Sequence, residues 1–386
     1  MPDASNTLLT NSVIASRVLA NLFPRTVMLN RVHRDYAAEF QRGRGATVTI
    51  RKPASFSVNE FTGTGITVQD AAEGQVAVTL DKHLDVSFAV TAADMTLNLV
   101  DFEQQFVLPA AEALAQKIDT TIMGLYKDIY NTVGTAGTTP SAIADVTNCG
   151  EKLNTNSVAL DRRSMVIDPA TTNKFTQLTV FHQAQQLADN GQALREGQLG
   201  RKFGFDLEMS QNVQTHTKGT LAHSGGTASA YVNGAVAAGA TTMAVDNNGS
   251  GTLTGTLVVG DVFTVANVTG SFVVTAAKTA SGNAIADVTF TPAAPSGGFA
   301  DNAVVTLVGS HKVNLAFHET AFAFVSRPLA IPQGLAPNQV SVMSMDGLGI
   351  RVVKDYNNNL KQDEISLDLL CGVKTLDPVR AVRLLG

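Results

Sequence analysis

Several residues in this chain have side chains suited to metal binding or catalysis, but they fall outside the spacings such chemistry needs. His318-Glu319-Thr320-Ala321-Phe322 begins like a helical zinc pair, in which two imidazoles four residues apart share a metal. Phe322 stands where the second imidazole belongs, so the pair cannot form. Asp355-Tyr356-Asn357-Asn358-Asn359 opens like a calcium loop, yet Leu360 replaces the glycine of its sharp turn and Ser366 its bidentate glutamate. An asparagine-rich hairpin turn accounts for these residues better, because Asn side chains bond to nearby backbone and tolerate left-handed conformations. Cys149 and Cys371 sit in no Cys-x-x-Cys or Cys/His spacing, so they indicate neither zinc nor a disulfide framework and suit a reducing compartment.

The histidines His33, His83, His182, His216, His223, His311 and His318 are scattered, and a lone imidazole is usually a packed or surface side chain. Two sequence-near pairs, His216 with His223 and His311 with His318, flank a charge-poor segment, where a joint role at a hinge is conceivable. The glycine-rich nucleotide loops, the nucleophile elbow and the Cys-x-x-Cys redox motif are missing. No catalytic, cofactor-binding or metal-ligating residue is therefore assigned, no cofactor is expected, and the chain is read as a non-enzyme.

The 386 residues suffice for two to three domains of about 100–200 residues each. With 44% hydrophobic and 16% charged residues the chain is a folded protein and not a disordered polymer. The net charge of -5 gives no global basic field for tight nucleic-acid binding, although local basic patches remain. One such patch spans residues 25–52, where Arg25, Arg31, Arg34, Arg42, Arg44, Arg51 and Lys52 face only Asp35 and Glu39. Residues 53–91 reverse the sign, with Glu60, Asp70, Glu73, Asp81 and Asp85 against Lys82. A charge run is usually a solvated face; the alternative is that the two segments meet between chains. The N-terminus lacks a signal peptide, and no apolar run of about 18 residues suggests a membrane span.

The elements that must position these groups are legible from periodicity. Val13, Ile14, Val18, Leu19 and Leu22 predict a short amphipathic helix closed by Pro24. Val76, Val78, Leu80, Lys82, Leu84, Val86, Phe88 and Val90 alternate strictly and predict one very long strand, with residues 47–58 as its partner in a projecting hairpin. A lone two-stranded ribbon is marginal in water, so this hairpin needs a surface to lie on, and a neighbouring subunit is a candidate for it. Val107, Ala111, Leu114, Ile118, Ile122, Leu125 and Ile129 predict a helix over residues 102–131, kinked at Pro109 or beginning near Leu108. Residues 141–206 read helix, strand, helix opened by Asp168-Pro169, loop, then strand, an α+β pattern. Residues 219–310 are rich in Gly, Ala, Thr, Ser and Val with short strands and turns, the pattern of an inserted β-barrel or sandwich. Residues 339–356 and 364–373 predict a strand pair joined at Asn357-Asn358-Asn359.

In this order of elements, with Asn314-Leu315-Ala316-Phe317-His318-Glu319-Thr320-Ala321-Phe322-Ala323-Phe324-Val325-Ser326-Arg327-Pro328-Leu329 and the segment 351–386 as its most telling stretches, the chain resembles the major capsid proteins of tailed bacteriophages with the Hong Kong 97 fold. It is similar in particular to the coat proteins of short-tailed enterobacterial phages, whose core likewise carries an inserted β-barrel. The resemblance covers essentially the whole chain. It implies an α+β capsid fold with a long spine helix, an extended β-hairpin loop and an inserted all-β domain. The implied division is an N-terminal arm (1–43), an extended loop (44–91), a peripheral domain with the spine helix (92–140), an axial domain (141–211), the inserted β-domain (212–315) and a return to axial and peripheral domains (316–386).

The implied function is structural: self-assembly, as hexamers and pentamers, into an icosahedral virion head enclosing double-stranded DNA. Implied partners are other copies of the chain, a separate scaffolding protein, a portal and the packaged DNA by non-specific contact, with no membrane. Assembly is expected in the bacterial host cytoplasm. On the charge reversal between the two segments, Arg42, Arg44, Arg51, Lys52, Asp70 and Glu73 are the expected inter-subunit contacts. Two other classes compete: a secreted or surface protein whose β-domain binds carbohydrate, and an enzyme with a non-standard site. The missing signal peptide argues against the first and the missing cluster of acid, base or metal groups against the second.

Overall fold

The computed structural model describes residues 11–22, 25–34, 47–51, 58, 75–91, 103–182, 197, 199–332, 339–345 and 347–386. Contacts divide the chain into two compact units, each discontinuous in sequence.

The first unit comprises Met1–Arg25, Arg34–Lys117 and Ala323–Leu376. Its helix Asn11–Leu22 buries Asn11, Ile14, Ala15, Val18, Leu19 and Leu22, the three-and-four spacing of one helical face, against the strands Val340–Met345 and Leu348–Asn357. Those two strands pair, as do Leu348–Asn357 and Gln362–Thr375, in a sheet of five strands among the described residues. Residues 339–356 are thus two strands and not one, reversing at Gly347 with φ +79°. The asparagine-rich segment is the expected turn: Asn357 Oδ1 accepts the backbone N–H groups of Asn359 and Leu360.

The long alternating strand is also interrupted. Thr47–Arg51 pairs with Gln75–Thr79, as the hairpin reading required, but Lys82–Thr91 leaves that ribbon and pairs along Gln362–Cys371. The break at Leu80-Asp81 has a local cause. Gly372 packs so closely under the chain there that a Cβ on it would lie 2.2 Å from the Thr79 carbonyl oxygen, so the backbone crosses over a residue without a side chain. The surface under the described part of the hairpin belongs to this same chain: Ile50, Val78 and Leu80 pack with Ala323, Val325 and Leu376. The rest of the projecting loop lies outside the described residues.

The predicted helix over 102–131 is three helical forms end to end: a π-helical turn Glu103–Val107, the α-helix Leu108–Met123 and a 3-10 stretch Gly124–Asp128. Pro109 is the second residue of the α-helix, where its missing N–H costs nothing, so of the two predicted solutions the chain uses the start near Leu108.

The second unit comprises Thr26–His33, Ile118–Phe322 and Asp377–Gly386. Its sheet runs, in spatial order, Thr132–Val133, Ala381–Leu385, His311–His318, Arg163–Ile167, Phe205–Met209, Gly200–Lys202, with Thr215–His216 also paired to His311–His318. The helices Ile143–Thr155 and Pro169–Thr176 cover it, burying Val146, Cys149, Leu153 and Phe175 against Met165, Ile167, Phe205, Ala316 and Val382. The second helix starts where Asp168-Pro169 predicts: the Asp168 carboxylate accepts the N–H groups of Thr171 at 3.1 Å and Ala170 at 3.3 Å. Between Thr215–His216 and His311–His318 the chain forms a closed six-stranded barrel, so of barrel and sandwich the insert is a barrel. Its interior is built on Phe263, Phe272, Phe290 and Phe299, whose ring centroids stand 5.1–5.8 Å apart.

Within this unit the segment Thr26–His33 is strapped down by charge. Buried Asp119 accepts the N–H groups of Val27 at 2.9 Å and Met28 at 3.1 Å, and Arg31 pairs with Asp206 and Glu208. Burial pushes the Asp119 carboxyl from its ordinary 3.8 up to about 6, against the pull of its backbone hydrogen bonds. An acid whose folded-state pKa is raised binds its proton more tightly when folded, so this contribution to stability is full below pH 3.8 and is lost as pH rises through about 6. Relative to an Asp119→Asn variant, which does not titrate there, the wild-type protein is expected to gain about 2 kcal/mol as pH falls from 7 to 4. Urea unfolding of both proteins across that range checks it, and a difference independent of pH would refute it.

Candidate functional site

The charged loop residues proposed from sequence are mostly beyond reach: Arg42, Arg44, Lys52, Asp70 and Glu73 lie outside the described residues. Arg51 is described only in its backbone, paired opposite Gln75.

The structure instead assembles a polar cluster where the barrel joins the sheet. It brings together one histidine from each predicted border pair, but not the partners that were near in sequence. His216, on the strand entering the barrel, lies opposite His311, on the strand leaving it, with ring centroids 5.4 Å apart. His223 is elsewhere, bonded to the Ser250 carbonyl, and His318 lies between Thr320 and Asp161. The second member of each pair therefore takes no part in the junction.

His216 is 3% exposed and bridges two groups that sequence reasoning missed. Its Nε2 lies 3.0 Å from Asp261 Oδ1 and its Nδ1 3.1 Å from the Tyr126 hydroxyl. A carboxylate only accepts, so Nε2 donates, and in the neutral ring Nδ1 accepts the tyrosine proton. Asp261, 1% exposed, is the hub. Besides His216 it accepts the N–H of Val258, at 2.8 Å, and that of Gly219, at 3.0 Å from Oδ1. One carboxylate thus ties its own turn, the entering strand and the linker after it. Gly219 has no room for a side chain, since a Cβ there would lie 2.7 Å from Asp261 Oδ2 and 2.3 Å from the Thr256 carbonyl oxygen.

The return strand supplies Arg383, which is fully buried. Its guanidinium carbon stands 5.1 Å from the centroid of the Tyr126 ring, and Nη1 donates to the Gly260 carbonyl at 2.9 Å. Burial pulls the Arg383 pKa down to about 9, which leaves it cationic at neutral pH, and raises that of Tyr126. His311 is pulled down to about 4, chiefly by burial, so its ring is neutral at neutral pH.

The signal for Asp261 and Arg383 was present but read otherwise. Along the chain Asp261 is one polar residue in a turn between apolar runs, and Arg383 stands alone among Ala381, Val382, Leu384 and Leu385 in a strand buried throughout. The bonds of this cluster hold a barrel on a sheet. Among the described residues, no group of three or more His, Cys, Asp and Glu side chains could hold a metal ion, and no helix is long and apolar enough to cross a membrane. Cys149 and Cys371 are buried free thiols, both pushed up to about 12 mainly by burial, and hence unreactive.

A family model described as P22 coat protein, gene protein 5, matches residues 4–386. No curated protein matches the chain. Among solved structures, one of Mycobacterium phage Che8 is similar with a TM-score of 0.52 at 15% identity, over 93% of this chain and 90% of that one. The capsid structure of the cyanophage P-SCSP1u has a TM-score of 0.49 at 14% identity, over 93% and 88%. The capsid of an empty GTA particle has a TM-score of 0.46 at 8% identity, over 94% and 89%. At 15% identity the likeness to the Che8 structure is one of fold. The family match spans the barrel and everything around it, and the carbohydrate-binding alternative has no support.

Proposed function

Because the chain belongs to the P22 coat protein family and is a structural major capsid protein with the α+β Hong Kong 97-type fold, we propose that its copies associate as hexamers and pentamers into an icosahedral head around double-stranded DNA. The observation that carries this reading is the family match over residues 4–386. Self-assembly into a capsid lattice and a place in the virion follow from the family. The finer proposal adds a separate scaffolding protein, a portal, non-specific contact with the DNA, assembly in the bacterial host cytoplasm and no enzymatic step. It also keeps the division into arm (1–43), extended loop (44–91), peripheral domain (92–140), axial domain (141–211), inserted barrel (212–315) and return segment (316–386).

The physical logic is repetition. A shell closes when one surface is used many times, and interfaces of about 1,200–2,000 Å² become strong collectively even where each is modest. Charges at such contacts set register and encounter more than affinity. Arg42 at the end of the arm, with Arg44, Arg51, Lys52, Asp70 and Glu73 in the extended loop, are the inter-subunit contacts of the proposal, supported by the reversal of charge between residues 25–52 and 53–91.

Sedimentation of the purified protein, with and without a co-expressed scaffolding protein, followed by imaging of the fast fraction, tests both levels. Shells, capsomers or sheets are expected; a monomer under every condition would overturn the assembly reading. A variant with Arg51→Glu and Lys52→Glu is expected to assemble in lower yield and with altered salt dependence. Unchanged yield and salt dependence would remove those two charges from the interface while leaving the capsid role intact.

A further inference from the structure

The chain passes between sheet and barrel twice, and the two crossings are joined over a short distance. Among the described residues the entering strand Thr215–His216 pairs with the leaving strand at two positions, His311 opposite His216 and Lys312 opposite Thr215. The Val313 N–H adds a bond of 3.0 Å to the Gln214 carbonyl. So short a ladder owes its stability to the side chains packed at it, and here these are two buried imidazoles with ring centroids 5.4 Å apart. The Gly309 carbonyl, 2.8 Å from His311 Nδ1, can only accept, so the proton of the neutral ring sits on Nδ1 and a second proton must enter at Nε2. That nitrogen is buried and has no protein partner among the described residues.

Charges already fixed in the junction oppose that proton. The charged and titratable groups acting on His311 are Arg383 on the C-terminal strand, His216 on the entering strand and Asp261 in the barrel turn, with Tyr126 and Asp128 of the 3-10 stretch bearing on Arg383. Arg383 is a buried cation, and Asp261, which favours a charged His311, already accepts from His216, Gly219 and Val258. A proton on His311 therefore adds a second buried cation beside a carboxylate that is fully engaged, and a buried charge without a partner is costly. The barrel interior is different, a cluster of Leu, Val, Ile, Met, Ala and Phe side chains with nothing to titrate. We propose that His311 is an acid-sensitive latch: a proton on its Nε2 parts the entering and leaving strands and frees the barrel from the sheet, while the barrel itself stays folded. Burial, with Arg383 and His216 adding to it, pulls the His311 pKa from its ordinary 6.5 down to about 4, so the closed junction binds the proton more weakly than the open one. Its contribution is full above pH 6.5 and is lost as pH falls toward 4. Asp119 in the same unit titrates with the opposite sign, so the latch has to be read locally and not from global unfolding.

Hydrogen exchange of the purified full chain, read by mass spectrometry at about pH 7 and pH 5 and corrected for intrinsic exchange rates, tests the latch strand by strand. Junction amides include Val313, bonded to Gln214, and Lys218, bonded to Ser310 Oγ. With the ordinary pKa in the open state, they are expected to lose about 20-fold in protection between the two pH values. Amides within the barrel, such as Phe290 bonded to the Thr241 carbonyl, should keep theirs. In His311→Asn, which retains a side-chain N–H donor but does not titrate, the acid loss is expected to vanish. Equal losses in junction and barrel would mean that the whole unit unfolds and would overturn the latch, as would junction protection that is the same at both pH values. A loss as large in His311→Asn as in the wild type would place the proton on another group. Should that variant not fold, the wild-type ring can be followed by NMR: a midpoint well below 6.5 is expected, and one at 6.5 would show that the junction does not resist the proton.

Discussion

Replacing Asp261 by alanine is expected to lower the unfolding free energy of the protein by about 3–5 kcal/mol, because it leaves several buried donors without an acceptor at about 1–3 kcal/mol each. The loss is large because the carboxylate has several dependants. His216 Nε2 and the backbone N–H groups of Gly219 and Val258 all donate to it, and each would be left in a site that is 1% exposed. A buried donor stripped of its acceptor bears its full desolvation cost. Asp261→Asn should cost less, because the amide retains one acceptor oxygen, but it turns an NH2 group toward donors. Urea unfolding of the three proteins gives the ranking wild type, Asn, Ala. A loss below about 1 kcal/mol for alanine would mean that the junction rearranges or that water replaces the carboxylate, and the hub reading would fall.

Replacing Phe272 by alanine is expected to cost about 3–5 kcal/mol through the cavity it leaves in the barrel. The insert is poor in large side chains, so its interior depends on four phenylalanines. Phe272 touches three of its neighbours, with ring centroids 5.5 Å from Phe263, 5.7 Å from Phe290 and 5.1 Å from Phe299. A closed barrel also limits collapse into the void, because six strands are fixed by their ladders around it. Phe272→Leu, which keeps most of the volume, should lose much less. The check is the shift in the thermal unfolding midpoint of both variants together with the soluble yield. Equal shifts would overturn the cavity argument, because apolar volume kept by leucine would then recover nothing and the ring contacts themselves would carry the effect.

Much of the fold could be read along the chain because it is encoded in local periodicity. The helix Asn11–Leu22 follows from apolar residues three and four apart, and the helix Pro169–Thr176 from Asp168-Pro169 at its start. The barrel follows from short β-branched runs between Gly, Asn and Asp turns. The misreadings share a cause. Strict alternation from Val76 to Val90 describes one continuous ribbon equally well as two strands in different sheets, because period two reports which face a residue takes and not which strand it pairs with. Only the approach of Gly372 beneath Thr79 and Leu80 divides it.

The junction cluster was the least legible part. Sequence proximity paired His216 with His223 and His311 with His318, whereas the structure joins His216 with His311, 95 positions apart on the strands that enter and leave the barrel. Tyr126 arrives from the 3-10 stretch after the long helix, Asp261 from a barrel turn and Arg383 from the C-terminal strand. What the sequence determined by itself was the inventory of elements, the place of the insert, the absence of the familiar catalytic and metal-binding motifs and, through resemblance, the capsid family. Those are properties of composition and short-range order. The tertiary structure alone decided which strands pair and which buried polar groups meet, since a buried charge is tolerated only where partners from distant segments converge on it, and no spacing along the chain records that convergence.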